Sequence, residues 1–168
     1  MTSEQAGGSA IDASYFRSVL GGYPTGVVVV TADTPEGPVG LAIGTFSSVS
    51  LDPPLVGFLP DKASSSWSRI EASGNFCVNI LADDQLDVCR QFAARGADRY
   101  AGLAWRAGIT GAPVLDGVLA WIDCTVESVV DAGDHHFVLG RVIDLGIARD
   151  DAGPLLFFRG RYGRFTEA

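Results

Sequence analysis

The chain has 168 residues, enough for one domain with a sizeable core, and its composition of 47% hydrophobic and 19% charged residues is that of a folding sequence. Its net charge of -8 and pI near 4.5 argue against a nucleic-acid partner, whose phosphates an acidic surface repels. No apolar run approaches the roughly 18–20 residues that span a bilayer. Met1–Asp12 lacks the basic-then-apolar pattern of a secretory leader, so the expectation is a cytoplasmic protein with no membrane partner.

Residues 1–14 read as a flexible tail and 15–168 as a single domain. Tyr15 to Leu20 reads as a short helix, capped by Ser14 and stopped by Gly21-Gly22. Pro24-Thr25-Gly26 then turns the chain into Val27-Val28-Val29-Val30-Thr31. Four successive β-branched residues predict a strand buried on both faces. Asp33 to Pro38 is a hairpin loop, and Val39 to Ile43 returns as a strand.

The stretch from Gly44 to Pro54 carries Thr45, Ser47, Ser48 and Ser50 in a short span and ends at Pro53-Pro54, which cannot continue a ladder. Leu55 to Leu59 reads as the next strand. A second hydroxyl cluster follows, Lys62-Ala63-Ser64-Ser65-Ser66, with one of its serines capping a helix that runs from near Trp67 to Gly74. A helix N-terminus beside a lysine suits an anion. The two clusters, read as bends at strand ends, suggest a site for a phosphate and a polar ring.

Asn75 to Leu81 alternates as a strand, and Asp83 or Asp84 is expected to cap a helix reaching Ala94, with Leu86, Cys89 and Phe92 on its apolar stripe. Gly96 to Gly111 reads as irregular and carries Arg99, Tyr100 and Trp105. Val118–Val130 and His135–Leu145 read as a long hairpin turned at Asp131–Asp134, and Leu155–Phe158 as a last strand. About seven strands and two or three short helices, without strand–helix alternation, give a mainly β fold, an antiparallel barrel.

Cys77, Cys89 and Cys124 are an odd number without CxxC spacing, which disfavours zinc and disulfides and favours buried thiols. His135 and His136 are strand neighbours facing opposite sides and cannot share a metal. There is no G-x-G-x-x-G, Walker loop, G-x-S-x-G or H-E-x-x-H. What remains is an inventory suited to a flat, phosphorylated, polar ring such as a flavin, which brings its own redox chemistry.

Several motifs occur together in order: Pro24-Thr25-Gly26-Val27, Gly40 through Phe46, Ser47 through Leu55 with its Pro-Pro, Gly133-Asp134-His135 with Gly140-Arg141-Val142, and Pro154-Leu155 through Tyr162. In this order they resemble the flavin reductase family, small FMN- or FAD-binding split-barrel proteins that feed reduced flavin to two-component monooxygenases. The resemblance runs from about Phe16 to Phe165. It implies a Greek-key-like antiparallel split barrel, a homodimer, FMN or FAD as cofactor, NADH or NADPH as donor, and a flavin-dependent monooxygenase reached by diffusing flavin. It places the flavin cradle at Ala42, Ile43, Gly44, Thr45, Ser47 and Ser48, and the phosphate loop at Leu59, Pro60, Asp61, Lys62, Ser64, Ser65 and Ser66. Arg99 joins these as a residue of the irregular loop, and Arg159 and Tyr162 match contacts near the ring. His135 matches the histidine on the nicotinamide side and is the catalytic candidate. The family often has threonine at Ala42 and alanine–asparagine at Ile43-Gly44, while Thr45 keeps a hydroxyl where serine is usual. The alternatives are a flavin store or sensor without reductase activity, and a related split-barrel flavin oxidase.

Overall fold

A computed structural model describes residues 10–168, so most of the expected N-terminal tail lies outside the described residues. It contains three helices and twelve strands. Seven strands form one antiparallel sheet in the order β3-β2-β6-β9-β10-β5-β4: Val39–Ile43, Val28–Ala32, Asn75–Ile80, Ala120–Ala132, His135–Ile147, Pro54–Phe58 and Ser47–Leu51. The sheet curls but does not close. Its two edges, β3 and β4, are consecutive in the chain and joined only by Gly44–Phe46. The expected barrel is therefore approximate, split where β3 and β4 fail to pair.

The valine strand explains the curl. All five residues of β2 are buried. Val28, Val30 and Ala32 enter an interior core with Phe58, Phe76 and Val138, while Val27 and Val29 face a second core with Leu81, Cys89 and Phe92. A strand wanted on both faces must run through the middle of the protein, as its sequence predicts. The long hairpin of β9 and β10 wraps the sheet and carries irregularities at Leu139/Gly140 and Val142/Asp144, which increase twist. Glycine at 140 admits the Phe76 ring, which a Cβ would overlap.

Helix α2 (Ser65–Ser73) covers the interior core with Trp67 and Ile70. Ser64 caps it by accepting from Trp67 N at 3.2 Å, and Gly74 ends it in the left-handed region, both as expected. Elsewhere the caps differ. Helix α1 (Ala13–Leu20) is capped by Asp12, which accepts from Tyr15 N at 2.9 Å, and Ser14 already lies inside the helix. Helix α3 (Leu86–Ala93) has no side-chain cap, because Asp84 pairs with Arg149 and Asp83 approaches Arg164.

Three further differences concern strands. Ser47–Leu51 is a strand rather than a bend, since the turn at Asp52-Pro53 lets it pair back on Pro54–Gly57. Trp105–Ala107 (β7), inside the stretch expected to be irregular, pairs with Pro113–Leu115 (β8) just beyond it. A separate sheet joins Thr25–Gly26 (β1), Leu155–Phe158 (β11) and Arg161–Arg164 (β12). The higher strand count comes from these short pieces, whose two to five residues carry too little alternation to read.

Asn79 ties these layers together. It is fully buried; Nδ2 donates to Val29 O (3.2 Å) and Thr31 Oγ1 (3.1 Å), and Oδ1 accepts from Leu115 N at 2.8 Å. Asn79→Ala leaves the Leu115 N–H buried without a partner. We expect a loss of about 1–3 kcal/mol in urea denaturation with an unchanged m-value.

Candidate functional site

The site lies at the split. Strand β3 is a sheet edge, so the side away from β2 presents backbone N–H and C=O groups with no strand partner. Beyond it the chain turns through Gly44 and Thr45. Thr45 Oγ1 donates to Leu59 O (3.2 Å) and accepts from Leu59 N (3.1 Å), stitching the corner to the segment after β5. Between these walls is a cavity of about 400 Å³, lined by Ala42–Thr45 on one side and Leu59–Asp61 and Ser64 on the other, with Arg99 and His135 at its rim.

A second cavity of about 600 Å³ continues from it, sharing Asp61, Ser64, Ala93 and Arg99 and adding Ser65, Ser66, Arg95 and Gly96. It opens on the N-terminus of α2, where the helix dipole and free amides favour negative charge. Arg99 builds the wall between the two. Its guanidinium donates to Gly40 O at 2.6 Å, Ser66 Oγ at 2.8 Å and Ala94 O at 3.1 Å, so one cation holds β3, α2 and the end of α3 together. Arg95 is exposed at the same cavity. Asp61 borders both cavities, its Oδ1 accepting from Ala63 N at 2.7 Å.

A third cavity of about 230 Å³ shares Ala42, Ile43, Gly44 and Ala93 with the first and is closed by Val27, Cys89, Phe157 and Tyr162. Tyr162 Oη and Cys89 Sγ lie 3.5 Å apart; the phenol keeping its proton against the sulfur, together with burial, pushes it up to about 12, so it stays neutral. Thr25 Oγ1 is buried without a partner beside Gly44, and would lie 3.0 Å from a Cβ at that position. Burial raises the Cys77 thiol to about 12 and raises Cys124 as well, making both inert core thiols as expected.

The two histidines face opposite ways. His135 lines the first cavity and its Nδ1 lies 2.7 Å from Asp134 Oδ1, a contact that holds the Asp134 carboxyl below the usual range. His136 packs on Trp67, its centroid 6.2 Å away; its Nδ1 is 3.5 Å from Asp131 Oδ1, outside hydrogen-bond geometry.

The predicted residues are thus partly assembled. Ala42, Ile43, Gly44, Thr45, Leu59, Pro60, Asp61, Ser64, Ser65, Ser66, Arg99 and His135 surround the first two cavities, and Tyr162 the third. Lys62 lines none of these and pairs with Asp131 at 3.2 Å. Ser47 and Ser48 are exposed on the opposite edge strand, β4. Arg159 lies on the far side of the β11–β12 hairpin. Phe92, Ala93 and Arg95 line the site unforeseen: on the sequence the first two end an amphipathic helix whose stripe reads as core, and Arg95 falls just past it.

This geometry offers free backbone edges to a flat polar ring and a cationic helix N-terminus to an anion. The described residues hold no cluster of metal-ligating side chains. Residues 20–166 match the flavin reductase like domain. A flavin reductase of Pseudomonas putida is 54% identical over 159 residues, covering 94% of this chain and 93% of that protein. The nitrilotriacetate monooxygenase component B of Mycobacterium thermoresistibile superposes with TM-score 0.89 at 48% identity, covering 95% of this chain and 89% of the other. The Streptomyces globisporus NADH:FAD oxidoreductase SgcE6, solved with NAD and FAD fragments, superposes with TM-score 0.86 at 33% identity, covering 95% and 98%. The edge-strand cradle, the fold around it and a match over nearly the whole length agree, and this chain belongs to the flavin reductase like family.

Proposed function

We propose that this chain is an NAD(P)H-dependent flavin reductase that supplies reduced FMN or FAD to a partner monooxygenase. The observation that carries this is the junction of two cavities along β3, one bordered by unpaired backbone and the next by the α2 N-terminus with Arg95 and Arg99. The first fits a ring with polar edges and the second fits its phosphate. The flavin, when bound, supplies the hydride-accepting chemistry. The protein's part is to bind and orient. The β3 edge and Gly44 let the ring lie against backbone, Thr45 fixes the corner, and Ser64–Ser66 with Arg95 neutralise the phosphate. Tyr162 and Phe157, their rings 5.1 Å apart, close one wall against water. His135 borders the open rim and positions the nicotinamide rather than carrying hydride, so proximity supplies much of the rate.

We further propose a cytoplasmic homodimer, with residues 15–168 acting as one unit. The described residues include no helix long and apolar enough to cross a membrane. Helix α1 buries nothing, yet carries Tyr15, Phe16, Val19 and Leu20 with more than half of each surface exposed. Such a face suits a second copy.

Steady-state oxidation of NADH and NADPH with each flavin tests the reading. Turnover dependent on added flavin is expected. Flavin binding without nicotinamide oxidation would instead identify a store or sensor. Within this assay, His135→Asn should raise KM for the nicotinamide or lower kcat/KM about tenfold while flavin affinity stays the same. His136→Asn, on the opposite face, should leave kcat/KM unchanged. The phosphate assignment is separable by titrating FMN against riboflavin. Arg95→Ala should weaken FMN about tenfold and riboflavin little, as removal of a charge-assisted contact requires. Lys62→Ala, whose charge is held by Asp131, should change the FMN-to-riboflavin ratio less than Arg95→Ala does.

A further inference from the structure

The donors at the α2 N-terminus bear on which flavin the site holds. The amides of Ser64 and Trp67 are already taken, by Asp61 O at 3.0 Å and Ser64 Oγ at 3.2 Å. Those of Ser65 and Ser66, the first residues of the helix, have no acceptor among the described residues. The Ser66 hydroxyl accepts from Arg99 and keeps its own proton to give. Ser65 Oγ and the Arg95 guanidinium make no hydrogen bond or ion pair among the described residues, and all these donors border the same cavity.

A terminal phosphate suits that set. As a monoester it carries about −1.5 to −2 charges at neutral pH and presents three strong acceptor oxygens. In a dinucleotide one of those oxygens bridges to the next phosphorus, so the phosphate nearest the ring carries less charge and accepts fewer bonds. Past that first phosphate the cavity offers little. Apart from Asp61, Arg95 and Arg99 its wall is serine, alanine and glycine. No aromatic or branched apolar side chain is there for an adenine to stack on. Arg99 is fixed in the wall, with Nε donating to Ala94 O and Nη1 to Gly40 O and Ser66 Oγ, and cannot swing out to follow a second phosphate. Asp61 adds a negative charge where the two cavities meet. The cavity of about 600 Å³ has room for an adenylyl group but no surface that recognises one.

We propose that this site selects FMN over FAD, and that Arg95 sets the preference. The inference rests on the flavin reductase reading and deepens it. The reduced product is then the mononucleotide, and the reaction that consumes it is an oxygenation that takes reduced FMN.

The test titrates riboflavin, FMN and FAD into the full chain without nicotinamide, followed by flavin fluorescence. FMN is expected to bind about tenfold more tightly than FAD. In Arg95→Ala the FMN and FAD affinities should come within about threefold of each other, while unchanged riboflavin affinity reports an intact fold. Arg95→Lys, which keeps the charge but not the fork, should retain part of the preference. FAD binding as tightly as FMN in the unmodified chain would overturn the inference, and so would a preference for FMN that survives Arg95→Ala. In both of those results flavin still binds, and the reductase reading stands. Failure of all three flavins to bind is a different result, which defeats that reading and this inference with it.

Discussion

The constraint on which the rest depends is the three-residue connection Gly44–Phe46 between two strands that do not pair. A sheet of seven antiparallel strands could close by joining β3 to β4, and closure would consume every backbone donor and acceptor. Here the short corner carries the chain from one edge to the other and leaves β3 open on its outer side. Such edges are usually blunted or covered. This one is covered by parts from elsewhere: Arg99 takes the Gly40 carbonyl and the Tyr100 hydroxyl donates to Val39 O at 2.8 Å. Only Ala42 to Thr45 is left bordering the cavities. The cradle is a residue of incomplete pairing, located where the cover stops.

How much of this was legible follows from the range of each signal. The valines of β2 read correctly because burial on both faces requires an apolar residue at every position. The α2 boundaries read correctly because Ser64 and Gly74 act through hydrogen bonds a few residues away. Asp83 and Asp84 failed as caps for the opposite reason. Each finds an arginine distant in sequence, with Arg149 lying 3.0 Å from Asp84 and holding that carboxyl below the usual range. Lys62 fits a phosphate on the sequence alone, but the β9–β10 turn brings Asp131 within 3.2 Å of it. Arg95 and Arg99 fall in a stretch without periodicity, so their place beside α2 depends on tertiary packing that no local pattern encodes. The motifs in order gave the family; the composition of the anion pocket needed the fold.

Charge distribution separates the binding regions from the rest. A net charge of -8 repels phosphorylated cofactors at long range. Arg69, Arg141 and Arg149 are tied to acceptors on the surface, Arg141 to Glu127 with two bonds of 2.8 Å. Such exposed pairs contribute little stability, but they remove cations from competition for anions. Arg95 and Arg161 retain no such partner among the described residues and both border cavities. Unpaired cations thus meet cavities at these two places, and the acidic remainder discourages polyanions that would otherwise occupy them.

The same logic accounts for a site that the described residues build from walls rather than from an acid–base constellation. Hydride transfer between two ring systems needs distance and alignment, which rigid walls provide, and it asks no side chain to exchange a proton with the reacting carbon. Accordingly the strongly shifted groups near the site are shifted toward inertness: Tyr162 is held neutral by Cys89 and burial, and Tyr100 is driven upward chiefly by burial. Tyr162 and Phe157 thus keep one wall of the third cavity free of fixed charge. An ionised phenol at Tyr162 would place negative charge against the cradle and oppose the arrival of hydride. The Cys89 contact and the burial that prevent it are therefore part of what makes an open strand edge usable as a redox site.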